Sequence, residues 1–533
     1  MSAIRLNDEQ MRRFICDGVL VLDSIPDASF HQTIFDKVQY VNVQDPDVWF
    51  NILPRVSELQ QVLDSPTIKG ALQSILGNDY MLSPHRLSTP SEPLAPEERN
   101  LELKGYESGT PVGEGSRSFT VWHKDKLHHT RYHVPRFLFL FYFPQDTPAE
   151  RGPTRVIPGS HYCDHITEAD HRFAFVPDQI KAGSCLLTAI DIEHAGMSNL
   201  TDQTRHMIKF NFMRTRNPEE PSWDGGASDW QPPAEHLGRF QYPETWSYVW
   251  DWMRGISKTG FRPAKDVDRH LASLNGTNQQ ARLAAIYSLG AMGEPTLEPL
   301  ISGLLSVAGQ NRIQPHSYSQ KEDGSFGPDG DPLERRWVDG AHIVQDEAYA
   351  LSCLGEIAID PLVQLLDHED PWIVVNAAFA LGEIGSPAAR AMPKMAEILD
   401  TSDDRIIRAV LEAIACISSN TIPALPAISK LLRMPRDSWG VNPQVRREII
   451  GDKIHLNAMN ALALSDLYIA DMEDLLIEVL EKPASDIDTP ATALEILVRS
   501  GSPRSIRYAI RYLQAHRWDD TRWPDEVTSR EAS

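Results

Sequence analysis

His123 and Asp125, separated by one residue in Thr120-Val121-Trp122-His123-Lys124-Asp125, are the pair in this chain best placed to do chemistry. The preceding Ser118, Phe119, Thr120, Val121 and Trp122 are β-prone, and residues i and i+2 of a strand share a face. The imidazole and the carboxylate would then open on one cavity, with Lys124 pointing away. Such a pair is half of a metal site. A second imidazole would complete the two-histidine, one-carboxylate face that holds ferrous iron and leaves coordination positions open for small ligands. Taken alone, the triplet reads as a His and an Asp at an exposed strand end, so the rest of the chain must supply the partners.

The third ligand falls to His194. Gly183-Ser-Cys-Leu-Leu-Thr-Ala-Ile190 reads as a strand entered through a glycine, and it delivers Asp191-Ile192-Glu193-His194 at its end. Small antiparallel barrels hold metals at such a mouth. Eleven residues further on, Arg205 precedes Met207-Ile208-Lys209-Phe210-Asn211-Phe212-Met213, whose apolar residues alternate over part of its length. An antiparallel strand there would return Arg205 to the metal, where a planar guanidinium fork can take a dicarboxylate. Alone, Arg205 reads as a surface arginine.

Other elements must frame this site. Asn7 and Gln10 form a capping box for a first helix, which Asp17-Gly18 ends before a strand at Val19–Leu22. Amphipathic helices are expected over 28–43 and 55–75, and strands at Tyr80–Leu82 and Phe173–Val176. The run Arg136-Phe-Leu-Phe-Leu-Phe-Tyr-Phe143 fits a strand buried on both faces. Ser88 to Ser116, rich in Pro, Gly, Glu and Ser, reads as a lid or substrate loop, or as a solvated loop. His128 and His129 are adjacent and point opposite ways in extended chain. With His133, in a stretch that also holds Arg131 and Tyr132, they read as solvent-facing or substrate-loop histidines rather than ligands.

Together these residues resemble the phytanoyl-CoA dioxygenase (PhyH) family of Fe(II)/2-oxoglutarate oxygenases. The resemblance runs from Leu6-Asn-Asp-Glu-Gln10 and Asp17-Gly18-Val19-Leu20-Val21, through His123-x-Asp125 and Gly152-Pro-Thr-Arg-Val-Ile-Pro-Gly-Ser-His161, to His194-Ala-Gly-x-x-Asn199 and Arg205. It implies a double-stranded β-helix (jelly-roll, cupin-like) core with flanking helices. It implies that His123, Asp125 and His194 bind Fe(II), and that Arg205 pairs with the distal carboxylate of 2-oxoglutarate. Thr154 and Asn199 fall in family motifs and would either line the cosubstrate pocket or serve as a turn hydroxyl and an Asx turn. His161, after a Pro-Gly turn, reads as structural. The chemistry implied consumes O2 and 2-oxoglutarate, releases succinate and CO2, and oxidises a substrate C–H. The intact Asp125 favours hydroxylation, desaturation or ring formation over halogenation, because halogenating relatives replace this carboxylate with a small residue.

The chain has 533 residues, is 41% hydrophobic and 23% charged, and carries a formal charge of −23. That acidity argues against nucleic acid and anionic membrane surfaces as partners. Five scattered cysteines without a C-x-x-C pair fit a reducing, cytoplasmic setting. Neither a signal peptide nor an apolar run long enough for a membrane span is expected.

Beyond a Trp/Pro-rich linker at 217–262, with one short helix at Pro243–Arg254, the chain repeats. Helices such as Ala377-Ala-Phe-Ala-Leu-Gly382 end in Gly/Pro turns and are followed by second apolar helices, with a period of about 30 residues. The pattern resembles HEAT repeats, broken by a charged, Gly-rich insertion at Gln310–Asp339. The organisation expected is an oxygenase domain at 1–216, the linker, and an all-α HEAT-like solenoid at 263–533. The solenoid would act as a rigid clamp on the oxygenase domain or as a platform for a protein partner or substrate. A small-molecule substrate is expected at the metal. Two rivals remain: a catalytically inactive scaffold of the oxygenase fold, and a lyase- or isomerase-like activity in the repeats.

Overall fold

Asn7 caps the first helix, Asp8–Asp17, through the expected box: Gln10 N–H donates to Asn7 Oδ1, and the Gln10 side chain accepts from Asn7 N–H. Gly18 ends that helix at φ 70° and turns the chain into β1, Val19–Asp23. This computed structural model describes residues 2–515, apart from 45–47, 98, 100–121, 126–130, 165, 178, 227–228, 257–260, 311–318, 321–325, 328–335, 338–341, 441–449 and 483–486. The readings on His128, His129, Ser118–Val121 and most of the 88–116 loop therefore lie outside the described residues.

The main sheet is antiparallel and five-stranded, in the order β1, Ser184–Ala189 (β7), Phe137–Tyr142 (β3), Ile208–Met213 (β9) and Met81–Ser88 (β2). The two-residue strands Thr147–Pro148 (β4) and Gln179–Ile180 (β6) pair, and Thr154–Val156 (β5) pairs with His194–Gly196 (β8). As expected, β3 is buried on both faces. Leu138, Leu140 and Tyr142 join the large core beneath the helices, while Phe139 and Phe141 pack with Phe143, Leu186 and Ile190 on the other face.

Four expectations need correction. The helix read over 55–75 is two, Leu59–Leu63 and Pro66–Leu76, because Pro66 lacks the N–H to continue the first and instead starts the second. The strand read at Tyr80–Leu82 runs on to Ser88, with a register shift between Leu82 and Arg86 that accommodates Pro84 at the sheet edge. Its continuation also pairs, through Thr89 N–H to Met207 O and Ser91 with Arg205, so the start of the 88–116 segment is not loop. Phe173–Val176 contributes only one bridge, Phe175 to Val156.

The helix at Pro243–Met253 appears where expected. Beyond it, six helix pairs stack among the described residues. Their first members are Gln279–Gly290, Asp346–Cys353, Pro371–Ile384, Asp404–Ile417, Ile450–Leu464 and Asp488–Arg499. Each first helix packs on the next. Of the 310–339 insertion, the described residues form only short two-residue strand pairs. None of the described helices is long and apolar enough to cross a membrane.

Close stacking needs small residues. A Cβ on Gly382 would meet the Cα of Ala413 at 2.9 Å, where helix Pro371–Ile384 crosses Asp404–Ile417. Backbone cannot yield as a side-chain tip can, so Gly382→Val is expected to destabilise the protein by about 1–3 kcal/mol through overpacking. Urea denaturation checks this, and an unchanged midpoint would contradict it.

The first helices face the N-terminal half of the chain rather than solvent. Tyr349 O–H donates to Arg131 O at 2.8 Å. His133 stacks on the Tyr349 ring at 4.2 Å and 9° and hydrogen-bonds Tyr287 Oη at 2.6 Å. Arg131 and Arg282 share Asp164, at 2.5 and 2.8 Å. The solvent-facing reading of His133 thus does not hold in the folded chain, where it and Arg131 are buried. Aromatic and charged groups of the two halves thus meet across this surface.

Candidate metal centre

His123 is placed by one antiparallel bridge to His194: each backbone N–H donates to the other residue's carbonyl, at 3.1 and 3.0 Å. The residues directly opposite in such a pair carry their side chains to the same face, and the two imidazole rings lie 4.4 Å apart. Asp125, two residues on, joins them. Ligand atoms of His123, Asp125 and His194 all fall within 4.8 Å of one another, and no other cluster of this kind occurs among the described residues. Lys124 turns away, as alternation demands, and donates to Ser160 O and Cys163 O, both at 2.6 Å.

The second shell sets the chemistry of these donors. His194 Nδ1 lies 3.0 Å from Ile192 O. A carbonyl can only accept, so Nδ1 carries the proton and the Nε2 lone pair is left for a metal. That Nε2 faces Asp125 Oδ2 at 3.4 Å. Burial favours the neutral acid at Asp125, but the Lys209 ammonium and the two imidazoles outweigh it and hold the carboxyl well below the usual carboxylate range. Lys209 Nζ donates to Asp125 Oδ2 at 2.6 Å and sits 4.3 Å from the centroid of the Phe139 ring. A carboxylate accepts at about four lone-pair sites, so this contact leaves room for a metal.

Lys209 is the residue the sequence reading missed. In Met207–Met213 it and Asn211 alternate with Ile208, Phe210 and Phe212, a pattern that looks like a half-solvated strand. The structure buries both faces: Ile208, Phe210 and Phe212 enter the helix-side core, and Lys209 turns to the carboxylate of Asp125. Two polar residues at i and i+2, on a strand a few residues past Arg205, were the available signal.

Arg205 is buried, and its backbone pairs with Ser91 just before β9. Its Nη1 donates to Thr89 O at 3.3 Å, while its Nε is buried with no hydrogen-bond partner among the described residues. Burial, and then the neighbouring Arg151, push its pKa down to about 10. It shares a strand face with Lys209, four residues or roughly 13 Å along an extended chain. A buried guanidinium short of an acceptor is what a carboxylate cosubstrate would complete.

The other two candidates are placed differently. Thr154 is buried in β5 opposite Gly196. Asn199 spends its side chain on its own loop and on the continuation of β2: Nδ2 donates to Gln203 O and Ser91 O, at 2.7 and 2.9 Å, and Oδ1 accepts from Thr201 N–H and Oγ–H, at 3.1 and 2.7 Å. That is the Asx-turn role. His161 is buried against Gly18 and Tyr162, in keeping with a structural part. His85 is pushed down to about 4 by burial and then by Lys209, with Asp125 opposing, so it is neutral at pH 7 beside the site.

Two nitrogens and one carboxylate oxygen from buried or half-buried residues are a donor set that suits Fe(II). The PhyH family profile, phytanoyl-CoA dioxygenase, matches residues 56–207, which contain all four candidate residues, and a HEAT-repeat profile matches 347–439. No curated protein matches the chain. Among solved structures, the chain is similar to the non-heme alpha-ketoglutarate-dependent epimerase SnoN from nogalamycin biosynthesis, with 17% identity, TM-score 0.30, and coverage of 39% of this chain and 80% of that one. It is similar to the non-heme monooxygenase ThoJ, with 17% identity, TM-score 0.29, and coverage of 43% and 89%. It is also similar to CytC3 with Fe(II) and alpha-ketoglutarate, with 13% identity, TM-score 0.30, and coverage of 40% and 79%. On the two profile matches, this chain carries a phytanoyl-CoA dioxygenase (PhyH) domain followed by HEAT repeats.

Proposed function

We propose that the chain is an Fe(II)/2-oxoglutarate-dependent dioxygenase that hydroxylates an unactivated C–H of a small metabolite. The observation that carries this is the convergence of His123, Asp125 and His194 on one point from positions far apart in sequence. Bound there, Fe(II) with 2-oxoglutarate and O2 supplies the oxidation, one oxygen atom going to the substrate C–H and the other to succinate as CO2 leaves.

The protein's part is placement. The His123–His194 bridge fixes two donors on one backbone ladder. Ile192 O fixes the His194 tautomer, Lys209 keeps Asp125 ionised, and Arg205 offers its unsatisfied Nε to the distal carboxylate of 2-oxoglutarate. The five-stranded sheet and the β5–β8 ribbon are read as the layers of a jelly roll, within domain limits of 1–216, 217–262 and 263–533. The five cysteines are free, which fits a cytoplasmic setting.

The test is 2-oxoglutarate-dependent succinate release by iron-loaded protein in the presence of O2. Protein that never consumes 2-oxoglutarate, with any candidate substrate, would favour the inactive-scaffold rival. A His123→Ala variant with full activity would move the chemistry to the repeats. Arg205→Ala is expected to raise the KM for 2-oxoglutarate by about tenfold to a hundredfold, the cost of one bidentate charged contact. Anaerobic Fe(II) titration of that variant should match wild type, since Arg205 is not a ligand.

A further inference from the structure

A cavity of about 280 Å³ lies where the bulged edge strand β2 meets the solenoid. Arg86, Asn211 and Met213 belong to its oxygenase wall. Leu456 and Asn460 from helix Ile450–Leu464, and Ala491 from helix Asp488–Arg499, belong to its solenoid wall. Its size is at the small end for ligand sites, which suits a metabolite and not a polymer or a folded partner.

No member of the triad lines the cavity, but its β9 residues share a strand face with Lys209. Asn211 follows Lys209 by two residues on β9, so both side chains point to one face, about 6.6 Å apart along the strand. Lys209 touches Asp125. A molecule seated against Asn211 therefore has Lys209 as the next residue on that face, between it and Asp125.

The lining also states what would fit. Arg86 makes no ion pair among the described residues, and its Nε is buried with no hydrogen-bond partner there; Asn211 Oδ1 is in the same condition. The acids on the solenoid side are already engaged, Glu495 by Arg499 Nε–H at 2.6 Å and Asp488 by partners of its own. Met213, Leu456 and Ala491 supply apolar walls. An uncompensated guanidinium in such a setting costs free energy that an anionic ligand would recover.

We infer that this cavity is the substrate chamber of the metal centre, that the solenoid forms one of its walls, and that its occupant is a small amphiphile bearing one carboxylate, held by Arg86. The inference rests on the oxygenase reading of the triad. It gives the repeats a role beyond clamping: they shape what reaches the iron.

The probes are octanoate and its neutral counterpart octanamide, titrated calorimetrically into anaerobic full-length protein saturated with Fe(II) and 2-oxoglutarate. Saturation keeps octanoate from simply occupying Arg205. The preceding 2-oxoglutarate titration tests the oxygenase reading separately, and failure there concerns that reading alone. Octanoate should bind. Arg86→Gln should weaken it by about tenfold or more while leaving octanamide within about twofold. Ala491→Phe, which fills the chamber from the solenoid side, should abolish binding of both, and Asn460→Leu serves should that variant fail to fold. Octanoate that does not bind wild type, or that binds Arg86→Gln as it binds wild type, overturns the carboxylate assignment. Unchanged binding to folded Ala491→Phe or Asn460→Leu overturns the solenoid wall.

Discussion

Asp125→Ala protein, purified and handled without oxygen, should take up no stoichiometric Fe(II) and should lose 2-oxoglutarate turnover by at least about a thousandfold. Removal of an outer-shell partner alone costs roughly 10–100-fold in metal affinity or activity, and Asp125 is an inner ligand in the proposed site. Its loss does more than delete one donor. The Lys209 ammonium now contacts Asp125 Oδ2 at 2.6 Å; in the variant it would face the cavity uncompensated and repel a divalent cation. Asp125→Asn separates the two effects. It keeps an acceptor for Lys209 but removes the charge, and should recover the fold without recovering iron. His194→Ala should fail for a different reason, since it deletes the Nε2 donor whose tautomer Ile192 O fixes. Iron stoichiometry from anaerobic titration and succinate release are the two readouts. An Asp125→Ala protein with wild-type iron content and turnover would sink the proposed site.

The parts of this centre that could be read from sequence are those that local geometry controls. The i, i+2 rule places His123 and Asp125 on one face without knowledge of the fold. His194 was reached from the end of the Gly-entered strand, but it is the first residue of β8, set by its pairing with β5 and its bridge to His123. Lys209 was not, because whether the polar face of β9 meets water or a metal ligand depends on what lies opposite it, and that is set by residues 84 positions away in sequence. The strand read at Tyr80–Leu82 stopped short for a similar reason: an edge strand with a register shift carries Pro84 and runs on to Ser88. His133 is the plainest case. Its burial is produced by Tyr287 and Tyr349, more than 150 residues downstream. The repeats were legible because stacked helices need only their neighbours, so the period shows in the sequence. Which of their two faces would be covered, and by what, has no local signature.

That covered face leads to the second large effect, at Arg136 and Glu383. Arg136 Nη2–H and Nε–H donate to Glu383 Oε1 at 2.8 and 3.1 Å, joining the start of β3 to solenoid helix Pro371–Ile384. Its Nη1–H reaches Asn217 Oδ1 at 3.0 Å, and its guanidinium lies about 5 Å from the rings of Tyr132 and Trp252. The two side chains are only 7% and 5% exposed. Removal of one member of a buried pair leaves an unpaired charge out of water, at a cost of about 3–5 kcal/mol. Arg136→Met and Glu383→Gln are each expected to destabilise the protein by that amount. The double variant Arg136→Met/Glu383→Met should regain most of it, because two apolar side chains leave no charge behind. Chemical denaturation of the four proteins gives the coupling directly. If the halves were independent modules, Glu383→Gln would leave the oxygenase transition where it was, and the solenoid would be an appendage. A loss shared by both halves, with one cooperative transition in wild type, makes the solenoid part of the fold that holds the substrate wall against β2 and β9.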